Sequence, residues 1–132
     1  MIPISIVYIN GPLALLTDEV AVTARHEKTD LLRGTLDLLI LRTLQLRPLH
    51  GVAIAERIRQ VTHGTFVVQP GSLFPALHRL EQDAWITGRW TTNDQKRRVK
   101  SYSVTPAGRR HLAAERRGWN RIVTAVAQVL ED

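Results

Sequence analysis

Two groups of side chains in this 132-residue chain are of types that engage a charged or hydrogen-bonding ligand. The first lies in QPGSLFPALHRLEQDAWITGRW, residues 69–90. If the segment opens as a helix, Leu73, Leu77 and Leu80 make an inward stripe at spacings of 4 and 3. Ser72, His78, Arg79 and Gln82 then lie off that stripe. A hydroxyl near a helix start can meet a phosphate, His and Arg donate to acceptors on a base edge, and a Gln amide pairs with adenine. The second group is Arg97, Arg98 and Lys100, in and beside the polar run NDQKRR. Guanidinium forks match phosphate oxygens two at a time. Both groups also have a plainer account. His78 and Arg79 can pair with Glu81, Gln82 or Asp83 along their own helix, Ser72 can act only as a cap, and cation runs are often solvated loops.

These residues must be positioned by a series of short elements. From Lys28, KTDLLRGTLDLLILRTLQLRP reads as a helix apolar nearly all round, hence buried on more than one face, and Pro48 stops it. His50-Gly51 opens a second helix, VAIAERIRQV, with Ile54, Ile58 and Val61 inward. In the third, Ser72 is the expected N-cap and Pro75 falls in the first turn. Two strand-like runs follow, WITGRWTT (85–92) and VKSYSVT (99–105), and NDQKRR makes a basic hairpin tip between them. Trp85 and Trp90 are expected to anchor the core and the hairpin. Thr105-Pro106 starts a last helix to about Leu130, where Leu112, Trp119, Ile122, Val126 and Val129 form a coiled-coil-like seam at spacings of 7, 3, 4 and 3.

The composition narrows the class of ligand. Eighteen Lys+Arg against twelve Asp+Glu give a net charge of +6, and fifteen of those cations are Arg. From Arg89 to Arg121 there are ten cations and only two acids, Asp94 and Glu115, which favours a surface facing a polyanion. With no cysteine, disulfides, zinc-thiolate sites and thiol catalysis are excluded. His26, His50, His63, His78 and His111 include no pair at i, i+4 spacing, so neither a metal nor another cofactor is expected. No Gly-rich phosphate loop, G-x-S-x-G turn or carboxylate pair supports an enzyme. The apolar start MIPISIVYINGPLALL lacks a basic n-region and a cleavage site, and no run reaches a membrane span of ~18 residues. A cytoplasmic protein is expected.

Helix, helix, helix, hairpin, helix is the order of a winged helix-turn-helix with an added terminal helix, in which the third helix enters a DNA major groove and the hairpin touches phosphate. At KTDLLRGTLDLLILRTL, HGVAIAERI, GSLFPALHRLEQDAWI and RRVKSYSVTPAGRRHL the sequence resembles the phenolic-acid decarboxylase regulator (PadR) family of bacterial transcriptional regulators. The resemblance runs from about Lys28 to the end, and GSLFPALHRLE with YSVTPAGR is its most specific combination. It implies a dimeric winged-helix repressor whose terminal helices form most of the dimer contact, and the single terminal helix resembles the small subfamily. In some drug-responsive members a flat aromatic wall between subunits takes a planar ligand, which is the role the resemblance suggests for Trp119 beside plain packing. The chain departs from the pattern at Phe74, where Tyr is usual, at Val52, where an aromatic is common, and at Ala84, commonly Gly. If the backbone at Ala84 needs positive φ, alanine costs on the order of 1 kcal/mol there.

The expectation is therefore a mainly α fold with a small β-hairpin: residues 1–27 an extension outside the core, 28–105 a winged helix-turn-helix, and 106–132 a dimerisation helix. The residues expected at DNA are His50, Ser72, Phe74, Pro75, His78, Arg79, Gln82, Arg97, Arg98 and Lys100. Those expected at the dimer or effector contact are Leu112, Trp119, Ile122, Val126 and Val129. The expected partners are a palindromic duplex operator, a second copy of the chain, and a planar aromatic effector that releases the DNA. The rival reading is a winged-helix protein-interaction module that turns the same basic face to an acidic partner.

Overall fold

The structure, a computed structural model, describes residues 7–9 and 34–132. The first helix, α1, is described over residues 34–46. Leu36, Ile40, Leu41 and Leu44 bury one stripe of it, Leu38 and Leu39 pack at the core's margin, and Leu46 stays exposed. A two-residue strand β2 (Leu49–His50) leads directly into α2 (Gly51–Val61), which buries Ile54 and Ile58. Val61, expected inward, is exposed one turn further along. There the chain leaves the helix through His63 at φ 52, with the Gly64 N–H donating to the Arg59 carbonyl at 2.8 Å.

Strand β3 (Phe66–Val68) follows, and a strand β1 (Val7–Ile9) pairs with it in parallel. Three residues of the expected extension thus do dock by their backbone. The remainder of that extension, and residues 28–33, lie outside the described residues.

Helix α3 spans Pro70–Gln82 and buries Leu73, Ala76, Leu77 and Leu80. Its start corrects the expectation for Ser72. The N-cap is Gln69, which makes no side-chain cap bond, and Pro70 occupies the first helical position, where its fixed φ suits the turn and no N–H is lost. Ser72 is therefore inside the first turn. Pro75 is interior and cannot donate to the carbonyl one turn back, that of Gly71.

Strands β4 (Ile86–Thr92) and β5 (Arg98–Val104) form the hairpin, in register from Ile86 opposite Val104 to Thr92 opposite Arg98. β2 adds to the other edge of β5, giving the order β2-β5-β4. Helix α4 (Pro106–Glu131) starts where expected: the Thr105 hydroxyl accepts from the Gly108 N–H at 3.0 Å and donates to the Ala84 carbonyl at 2.7 Å. Gly108 lies so close to the Trp85 carbonyl that a Cβ there would collide with it, so this glycine sets how near α4 approaches the root of the hairpin.

Between α3 and β4 the backbone does need positive φ. Ala84 sits at φ 61, with its N–H donating to the Glu81 carbonyl at 3.0 Å and that of Trp85 to the Leu80 carbonyl at 3.1 Å. These are the paired bonds of a Schellman motif, which glycine fits without a Cβ penalty. Ala84→Gly should stabilise the fold by about 1 kcal/mol. A urea midpoint unchanged or lowered, at constant m, would contradict this.

Candidate nucleic-acid interface

The outward stripe of α3 is Gly71, Phe74, Pro75, His78 and Gln82, all exposed. Spacings of 4, 3 and 4 from Gly71 through Pro75 and His78 to Gln82 keep it on one side of the helix, opposite Leu73, Ala76, Leu77 and Leu80. It presents two apolar side chains in its first half and an imidazole and an amide in its second, and carries no Lys, Arg, Asp or Glu. The Phe74 ring lies against Gly51 at the start of α2, so the mouth of α3 is braced there even though the ring stays half exposed. Ser72 and Arg79 flank the stripe and are half-buried.

Arg79 is engaged within the chain. Its guanidinium meets the Asp37 carboxylate of α1 at 2.5 Å, with both side chains mostly shielded. This is a tie between α3 and α1, and it turns Arg79 away from the groups expected to read bases. We expect a double-mutant cycle of Arg79→Ala and Asp37→Asn to show a stability coupling of about 1 kcal/mol. Zero coupling would return Arg79 to the outward set.

Lys100 is likewise held. Its ammonium donates to Glu81 of α3 at 2.8 Å, and the other oxygen of Glu81 accepts the Gly88 N–H of β4 at 3.2 Å. A Cβ at Gly88 would strike this pair, so the missing side chain is what admits it. The hydrogen bond to Glu81 raises the Lys100 pKa above the ordinary lysine range, despite an opposing effect of burial. A raised lysine keeps its contribution throughout the range below its unfolded pKa and loses it only at higher pH, so the Lys100 ammonium stays charged near neutrality. Glu81, Lys100 and Gly88 together fix the hairpin against α3.

Beyond the clamp, the same face of the hairpin continues to Trp90 and Arg98, with the Arg98 guanidinium 5.0 Å from the centre of the Trp90 ring. Trp90 is 58% exposed; it lies on the hairpin past the end of the core and shelves an arginine. Trp85 does pack against the core, and stacks on His111 of α4 at 3.5 Å. At the tip, the Asn93 side chain accepts the N–H groups of Gln95 and Arg97 at 3.0 and 2.9 Å, while Lys96 takes φ 62. This braced turn presents Lys96 and Arg97 outward, and Arg98 begins the return strand. Arg89, Lys96, Arg97 and Arg98 are exposed and form no salt bridge among the described residues. His50 pairs with Ser101, which also faces Arg89, so His50 falls on the sheet face opposite Lys100 and Trp90.

Along α4 the expected seam divides. Leu112 is 1% exposed and belongs to the core of its own chain, because the first turns of α4 pack on the hairpin root and helices. It is not available to a partner. The exposed apolar stripe begins at Trp119 (40% exposed) and runs through Ile122, Val126 and Val129, joined by Val123 and Leu130, which lie on the same side at heptad spacing.

Three helices, a sheet with a two-stranded wing and a terminal helix define a winged helix-turn-helix of the kind that regulators of transcription use. Residues 40–114 match the sequence profile of the Transcriptional regulator PadR-like family. The chain is 33% identical over 94 residues to the transcriptional regulator Rv3488 of Mycobacterium tuberculosis, covering 71% of this chain and 84% of that one. Among solved structures, a transcriptional regulator from Clostridium thermocellum superposes with a TM-score of 0.68 at 26% identity, over 75% of this chain and 96% of the other. A PadR-like transcriptional regulator from Bacillus cereus shares the fold at a TM-score of 0.68 and 22% identity, over 78% and 98%. The protein belongs to the PadR-like family of transcriptional regulators. Among the described residues, no helix is long and apolar enough to cross a membrane.

Proposed function

We propose that the protein is a homodimeric repressor that binds a palindromic duplex operator through α3 and the wing. The observation that carries this reading is the adjacency of two surfaces: an outward α3 stripe with Phe74, Pro75, His78 and Gln82, and a wing whose Lys96, Arg97 and Arg98 have no acidic partner among the described residues. His78 and Gln82 supply base-edge donors and acceptors, Phe74 and Pro75 supply apolar contact, and the wing cations meet phosphate. Ser72 stands where the first turn of α3 would meet a phosphate, and His50 is a contact from the far face of the sheet. Arg79 and Lys100 act by holding α3 against α1 and the wing against α3.

Pairing of two chains through Trp119, Ile122, Val126 and Val129 sets two α3 helices at one separation, so the operator has two half-sites. Bound near a promoter, such a dimer excludes polymerase by occupancy. A planar aromatic effector seated against Trp119 would change the separation and release the DNA. Quenching or shift of Trp119 emission by a panel of planar aromatics, absent in Trp119→Phe, tests that step; an unresponsive Trp119 leaves it only a packing role. The whole reading is tested by selecting bound fragments from random duplex DNA. Enrichment of one inverted-repeat sequence is expected. Failure to enrich any sequence, together with weak salt dependence, would favour the rival protein-interaction module.

A further inference from the structure

We infer that the N-terminal half of α4 carries a second phosphate-binding face, apart from α3 and the wing, that contacts duplex DNA flanking the operator core. The inference rests on the DNA-binding reading and extends it to a surface outside the winged helix. Arg109, Arg110, Arg116, Arg117 and Arg121 are all exposed, and none forms a salt bridge among the described residues. Arg109 and Arg116 are seven residues apart, as are Arg110 and Arg117, and Arg121 follows Arg117 by four. At 3.6 residues per turn Arg110, Arg117 and Arg121 make one column, and Arg109 and Arg116 make a second about 100° round the helix, in line with Val123 and Leu130. Trp119, Ile122, Val126 and Val129 lie on the side opposite the first column, so a dimer closed through the apolar stripe leaves Arg110, Arg117 and Arg121 facing outward, with Arg109 and Arg116 at its margin.

This arrangement is unfavourable for an isolated helix. Arg109 and Arg110 stand near the positive end of the helix dipole, and the first turn contains no acid to offset them. Arg117 and Arg121 are a like-charge pair at i, i+4. Glu115, the one acid in this half of α4, is turned toward His111 at 3.8 Å, away from the arginine columns. A bound polyanion offsets all of these repulsions together. Every cation on the face is arginine, whose planar fork suits phosphate oxygens better than a lysine does. From Arg109 to Arg121 the helix rises ~18 Å. That is the axial span of about five successive phosphates on one strand of duplex DNA.

The test replaces all five arginines with Gln, which keeps helix propensity and removes charge. Binding is measured against salt on two duplexes: the selected operator trimmed to its core, and the same core within ~40 base pairs of random flanking sequence. The wild-type chain should show a steeper salt slope on the long duplex than on the trimmed one. The Gln variant should lose about 2 to 4 from the slope on the long duplex. Its affinity for the long duplex should fall at least 10-fold at low salt, with the trimmed duplex bound as before. Replacement of the same five by Lys should retain the slope. A Gln variant with the wild-type slope on the long duplex overturns the inference and is the outcome expected of a face for an acidic protein. Equal losses on both duplexes overturn it too, since the face would then belong to the core contact. If the wild-type chain binds neither duplex with a salt dependence, the DNA reading itself falls, and this inference with it.

Discussion

Replacing Ile122 and Val126 together with Asp should yield a chain that no longer dimerises and no longer binds its operator, although every DNA-facing residue is intact. Both side chains are about half exposed in the single chain, within a stripe that runs from Trp119 to Leu130. Six exposed apolar side chains in one stripe are what an interface would present, where ordinary surface scatters them singly. Two carboxylates placed in a closed seam would be desolvated without partners, at a cost of several kcal/mol each. Because the same positions are solvent-exposed in the monomer, the variant should still fold. Circular dichroism and thermal melting check the fold, and sedimentation reads the assembly. A wild-type chain that sediments as a folded monomer at micromolar concentration would contradict the seam. So would a monomeric double variant that binds the operator with full affinity. Leu112 gives the contrast: buried in its own chain, its change to Ala should cost about 2–5 kcal/mol of folding stability without selectively splitting the dimer.

The second large effect lies in the wing. Arg97→Ala with Arg98→Ala should weaken binding to all duplex sequences alike and lower the salt slope by about 2, one for each phosphate no longer neutralised. The turn that presents Arg97 is braced through its backbone N–H to Asn93, and Arg98 is shelved on Trp90, so the two cations are held in place before DNA arrives. Lys100→Met is the internal comparison. Its ammonium is committed to Glu81, so the variant should reduce affinity by loosening the wing while leaving the slope as it was. An unchanged slope in the double arginine variant would remove the wing from the interface. A slope lowered by about 1 in Lys100→Met would mean that Lys100 leaves Glu81 for a phosphate.

Much of the fold was legible because it is written in local patterns. Ile54 with Ile58, and Leu73 with Leu77 and Leu80, identify two buried helix faces at 3- and 4-residue spacing, and all five are buried. Thr105 before Pro106 marks the start of α4, and its hydroxyl does cap the helix. The hairpin bounds came within one residue because NDQKRR separates two strand-like runs. Strands β1, β2 and β3 have only two or three residues, too few to show an alternation. Ser72 misled because serine is a strong N-cap type, whereas Pro70 at the first position fixed an earlier start.

The site was harder to read, since its arrangement depends on distant pairs. Asp37 precedes Arg79 by 42 residues, and Glu81 precedes Lys100 by 19, so neither tie has a local signal. Register could have revealed the second: Trp90 faces Lys100 and Gly88 faces Tyr102, which puts a bare glycine beside the lysine. Leu112 misled for a different reason. It lies in heptad register with Trp119 and Val126, but the stripe passes from the chain's own core to open surface between Leu112 and Trp119. Periodicity reports that a face is apolar and not which neighbour covers it.

Operator reading by α3 and the wing of a two-fold pair of chains leaves a footprint of defined symmetry. Hydroxyl-radical cleavage of the selected duplex, with the wild-type chain bound, records it. Two symmetric protected blocks are expected, their centres about one helical turn (~34 Å) or a related distance apart, and both lost on a scrambled duplex of equal length. A single unsymmetric block, or equal protection of the scrambled duplex, would contradict operator reading by such a pair.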